Sequence, residues 1–163
     1  MERQIEVCHV SMEIHADFDG FTHKFELLLG RFDKSSLNET DPKVMEKRLK
    51  EIGKEEDLML FEVYNHGDLL NILESPKKAK QYVLGNPLTA IKMTRHDIRA
   101  GLYAPLRVLA YETGDHSTRI EFDQPSSLFG QFNDPEINAT AQSLDKKLTN
   151  LIQKAEISAK RSI

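Results

Sequence analysis

Near the N-terminus, apolar and polar residues alternate: Cys8, Val10, Met12 and Ile14 fall on one side, and His9, Ser11, Glu13 and His15 on the other. A period of two marks a half-buried strand. It predicts a strand over about Gln4 to Ile14 with the first set facing a core, where Cys8 reads as a small hydrophobe. The period then lengthens. Phe21, Phe25, Leu28, Leu29 and Phe32 recur at helical spacing behind Asp19, which is taken as the N-cap. A polar loop over Asp33 to Thr40 leads to Asp41-Pro42, a capping residue followed by proline at the first helical position. Met45, Leu49 and Ile52 form that helix's stripe, and Gly53 stops it.

Leu58 to Tyr64 is apolar on both faces, which predicts a central strand ending at an Asn65-His66-Gly67 turn. Asp68 is read as the cap of a short helical piece through Leu73, and Ser75 to Lys80 as a loop. Gln81 to Leu84 reads as a short strand, and Asn86-Pro87 opens a helix to about His96. Leu106 to Glu112 and Thr118 to Phe122 form a hairpin across Thr113-Gly114-Asp115. Asp134-Pro135 caps a final helix with apolar residues Ile137, Ala141, Leu144, Leu148, Leu151 and Ala155, a stripe laid across the sheet, with fraying from about Ser158. Strands and helices in mixed order, with an antiparallel hairpin, give an α+β fold: a single largely antiparallel sheet covered on one face by helices.

Length and charge narrow the classes. At 163 residues the chain is read as one domain, 1–163, large enough to bury a core unaided. The net charge of −4 gives no global drive toward nucleic acid or an anionic membrane, and Lys77, Lys78 and Lys80 read as a solvated loop. A single cysteine excludes an internal disulfide and a thiolate zinc site. The expected setting is a reducing cytoplasm, with no secretory leader and no apolar run near the roughly 20 residues of a membrane span.

Three stretches resemble one family. They are the strand running into Gly85-Asn86-Pro87, the Leu102-to-Glu112 segment with Pro105-Leu106 and a Tyr-Glu end, and the Phe122-Asp123-x-Pro125 exit. With Phe61 to Gly67 upstream, the chain is similar to the Domain of Unknown Function 302 family. The resemblance implies a compact domain of TATA-binding-protein-like topology with no established activity, and a helical insertion over about 33–56. Many members carry cysteines in Ala-Cys-Asn-Pro and Pro-Cys motifs. Gly85 and Leu106 stand there instead, so any thiol or metal role of those cysteines is absent from this chain.

No nucleophile elbow, cofactor motif or metal-ligand spacing is present, and neither a cofactor nor a metal is expected. Ser126 and Ser127 read as caps of a short helix. The amides at Gly85-Asn86-Pro87 suit an anion, but a tight strand-to-helix turn needs the same residues. The favoured constellation draws on separate elements: His66, Asn86, Tyr103, Arg107, Tyr111 and Asp123. Arg107 interrupts an apolar strand beside Leu109 and Tyr111. It asks for a carboxylate, either Asp123 or Glu121 on the paired strand, or an acidic ligand in a cleft between sheet and long helix. Three readings stay open: a binding or interaction module for a small anionic molecule, an enzyme using His66 or Asp123 as acid/base, and a homo-oligomeric structural protein.

Overall fold

The alternating segments assemble into one six-stranded sheet in the computed structural model, which describes residues 2–74, 76–114 and 116–161. The strands are β1 (His9–Ile14), β2 (Gly30–Arg31), β3 (Met59–Asn65), β4 (Ala79–Gly85), β5 (Leu106–Gly114) and β6 (Ser117–Asp123), ordered β1-β6-β5-β4-β3-β2. Only β2 and β3 run parallel; every other pair is antiparallel. The helices are α1 (Phe18–Leu28), α2 (Pro42–Ile52), α3 (His66–Leu70), α4 (Pro87–Thr94), α5 (Pro125–Phe129) and α6 (Pro135–Lys160). The expected α+β architecture is therefore present, with the long helix at the C-terminal end.

Register explains which face is covered. On β5, Leu106, Val108 and Ala110 are buried, whereas Arg107 is exposed and Leu109 and Tyr111 are half-buried. Their partners Tyr82, Leu84, Ile120 and Phe122 on β4 and β6 are buried with them. That inner face packs under α1 and α6. The α6 stripe read from the sequence, Ile137, Ala141, Leu144, Leu148, Leu151 and Ala155, is buried throughout, and Ile152 and Ala159 extend it. Burying each Leu or Ile fully contributes roughly 1.5–3 kcal/mol before the entropy of ordering it. The caps at Asp41, Asn86 and Asp134 accept from backbone amides two or three residues on, as their sequence positions suggest.

Several expectations are corrected. β1 begins at His9, and Cys8 before it is exposed, with its backbone tied to Ser127 Oγ and Gln124 N rather than to a ladder. The cap of α1 is Asp17, and the helix ends at Leu28, so Phe32 is not part of its stripe. The polar loop after Asp33 holds a short 3-10 turn, Lys34–Asn38. β3 is not central: its outer neighbour β2 has two residues, which leaves Phe61 to Asn65 unpaired on that side. Asn65, not Asp68, caps the helix that follows. Gln124 precedes α5 with no side-chain cap, and Ser126 and Ser127 lie inside that helix. The last helix continues past Ser158 to Lys160, with Ala159 buried. Asp115 of the expected hairpin turn and Ser75 of the expected loop lie outside the described residues.

Candidate functional site

The cleft expected between sheet and helices exists as an apolar cavity of about 530 Å³ at the end of β4 and the start of β5. Asn86 closes β4 and opens α4: its Oδ1 accepts from Leu88 N at 2.8 Å. Its Nδ2 donates to Asp57 Oδ1 at 2.6 Å and to Asp57 O at 3.1 Å. Asn86 is thus on the cavity wall with its polar atoms already committed. The neighbouring wall is formed by Gly85, cis-peptide-linked Pro105 and Leu106, with Met93 of α4, Phe129 of α5 and Leu144 of α6 behind.

Two aromatic rings stand at the outer side. Phe32 leaves β2 and stacks obliquely on Phe61 of β3, with centroids 4.5 Å apart. Both line the cavity and both are only half-buried. Leu37 and Lys34, on the 3-10 turn, border the same space. Lys34 is exposed and has no ion-pair partner among the described residues, so the cavity is apolar inside with a free ammonium at its border. Gly85 and Leu106, where the resemblance places cysteines in other members, are both on this wall. A Cβ at Gly85 would meet Pro105 Cβ at 3.6 Å, an ordinary contact, so space alone does not require glycine there.

The six residues favoured by the sequence do not converge. Asn86 alone of them lines the cavity. Tyr103 packs edge-on against Phe129 and Phe132, with centroids 6.2 and 6.1 Å away. Arg107 and Tyr111 project from the uncovered face of the sheet, opposite the helices, so they cannot line a sheet–helix cleft. His66, at the start of α3, borders a broad depression of about 790 Å³ on that open face together with Tyr111. Asp123 lies three strands from β3 and near the opposite end of β6, roughly 15–20 Å from His66 by strand spacing and rise.

The carboxylates assigned to Arg107 have other partners. Asp123 Oδ1 is 3.0 Å from His9 Nδ1, and Glu121 Oε2 is 3.5 Å from His9 Nε2. Glu121 Oε1 also accepts from the Tyr111 hydroxyl at 2.7 Å. The Asp123 hydrogen bond raises the His9 pKa above its ordinary value, with Glu121 adding to it. The Tyr111 hydrogen bond lowers that of Glu121 and, reciprocally, raises that of Tyr111. Arg107 has no ion pair among the described residues. The residues missed by sequence reasoning are Phe32, Phe61, Lys34 and His9. The first two look like ordinary core positions until β2 proves to be two residues long.

Among the described residues, no group of three or more His, Cys, Asp or Glu is placed to hold a metal ion. No described helix is long and apolar enough to cross a membrane.

The family model for Domain of unknown function DUF302 matches residues 34–155. Among solved structures, the chain is similar to the crystal structure of an uncharacterized conserved protein DUF302 from Bacillus stearothermophilus. The two share 15% identity over 90% of this chain and 97% of that one, with a TM-score of 0.62. At that identity the likeness is one of fold. No curated protein matches the chain.

Proposed function

The chain belongs to the DUF302 family, a domain of unknown function, and on that premise we propose that it is a single-domain binding module for a small, largely apolar molecule bearing an anionic end. The observation that carries this reading is the cavity of about 530 Å³ between sheet and helices. Its volume falls within the usual range for small-molecule sites. Its walls are apolar, and its one buried amide, Asn86, is fully occupied within the fold. Binding there would therefore bury apolar surface while leaving the Asn86 amide paired as it is. Lys34 at the border supplies a charge for a carboxylate or similar head.

Medium-chain carboxylates, with the matching alcohols beside them, test this by thermal shift and titration calorimetry. Saturable binding of the carboxylate is expected, weaker for the alcohol and for Lys34→Ala. Ala90→Phe, which fills the cavity from α4, should abolish it. Failure of the wild type to bind either series, or binding unaffected by Ala90→Phe, would overturn the reading.

An interaction role is the second reading, favoured by solvent-facing apolar side chains at Ile98 and Leu102, which are 79% and 81% exposed. Sedimentation velocity of the wild type and of Leu102→Ser checks it: a concentration-dependent dimer lost in the variant would favour self-association. The acid/base reading set His66 or Asp123 in the sheet–helix cleft, and neither residue lines the apolar cavity there.

A further inference from the structure

A second groove, of about 520 Å³, runs between α4 and α6 on the outside of the helical layer. Its α4 side carries Lys92 and Arg95, and its α6 side Thr140, Ser143 and Lys147. Both sets follow from helical spacing. Lys92 and Arg95 are three apart, and Thr140, Ser143 and Lys147 recur at three and four, one position ahead of the buried Ala141, Leu144 and Leu148. The groove is therefore fixed in place by the core stripe directly behind it.

Its charge is unusual for this chain. The whole sequence carries −4, yet Lys92 and Arg95 have no ion pair among the described residues and stand on one face, where like charges repel. Lys147 leans the other way, to Asp57 at 2.8 Å. Favourable placement of cations in the last turn of α4 accounts for their charge. It does not account for Thr140 and Ser143, whose hydroxyls, facing them across the groove, make no side-chain hydrogen bond among the described residues. Two free cations opposite two free hydroxyl donors are what a phosphoryl group requires: charge to balance two negative oxygens and O–H donors for the remainder.

We propose that the α4–α6 groove is a binding site for a phosphoryl group, free or as a monoester. Glu136, in the first turn of α6, borders the same groove and opposes an anion there. Its neutralisation should therefore strengthen binding. The groove lies on the outside of the helical layer and shares only Thr89 with the apolar cavity, so its proposed ligand is independent of what the cavity holds.

The test is a two-dimensional amide NMR titration at fixed ionic strength, with inorganic phosphate in one arm and phenyl phosphate in the other. Saturable shifts at Thr140 and Ser143 are expected in at least one arm, and the tighter arm distinguishes the free ion from the ester. Lys92→Ala/Arg95→Ala, both exposed positions, should weaken binding about 10-fold or more with an unchanged circular dichroism spectrum. Glu136→Gln should tighten it. No saturable shift in either arm, or shifts of equal affinity in the double variant, would overturn the proposal.

Discussion

Asn86 and Asp57 are joined twice, by the amide nitrogen of one to the carboxylate (2.6 Å) and to the main-chain carbonyl (3.1 Å) of the other. Asp57 sits at φ 54, in the left-handed region, just before β3, and its second carboxylate oxygen receives Lys147 of α6 at 2.8 Å. One buried amide thus ties the start of α4 to the entry of β3, and through Lys147 to the long helix. Asn86→Ala removes the α4 cap and two further bonds at a buried site. A loss of about 2–4 kcal/mol is expected, read as a lower urea midpoint at unchanged slope. Asn86→Asp keeps the cap but sets two carboxylates together, so its deficit should shrink as the pH falls.

Gly30 is needed for space. A Cβ there would lie 1.6 Å from the carbonyl oxygen of Ile52, the last residue of α2. Gly30→Ala must push α2 away from β2, with an expected cost of about 2–4 kcal/mol. Gly85→Ala meets only ordinary contacts and should melt within about 1 kcal/mol of the wild type. Denaturation of the two variants side by side checks the contrast.

His9 links the edge strand to Asp123 and Glu121, and its folded pKa is raised above 6.5 by that pairing. A raised histidine stabilises the fold fully below the unfolded value near 6.5, and the contribution is lost as pH rises through the folded value. Glu121 works in the opposite sense: its pKa is lowered from 4.5, so its contribution is present above 4.5 and fades as pH falls through the folded value. The stability gap between wild type and His9→Ala should therefore be widest at about pH 5–6 and close above neutrality. Parallel denaturation across that range measures it. A gap that widens at alkaline pH would contradict the assignment.

Cys8 is exposed, ahead of the first strand. One equivalent of a chromogenic disulfide reagent should react with the native protein as completely as with the urea-unfolded chain.

Much of this fold could be read from periodicity, where one element carries its own signal. The α6 stripe and the β5–β6 alternation needed no partner to be recognised. Errors arose where a pattern ran past the end of its element. Cys8 continues the alternation of β1 but precedes the strand, and Phe32 continues the spacing of α1 but follows its end. The six-residue constellation is dispersed for a different reason. Alternation placed Arg107, Leu109 and Tyr111 together correctly, yet nothing local says which face the helices cover. The partner of Asp123 is His9, 114 residues away on β1. That pairing follows from strand order, which adjacent residues do not encode.

The two-residue length of β2 governs what can be added to the sheet. An open strand edge is a template for another chain's backbone, and long flat edges seed fibrils. Here the outer edge of β3 is met by a partner for only two residues, and a register shift against β4 between Leu60 and Glu62 interrupts the same strand, where the charged side chain is exposed. At the far side, β1 is six residues long and carries His9, Ser11 and Glu13 on its open face. Both borders of the sheet are thereby made poor templates, and stacking of copies strand to strand into a growing ribbon is discouraged at either end.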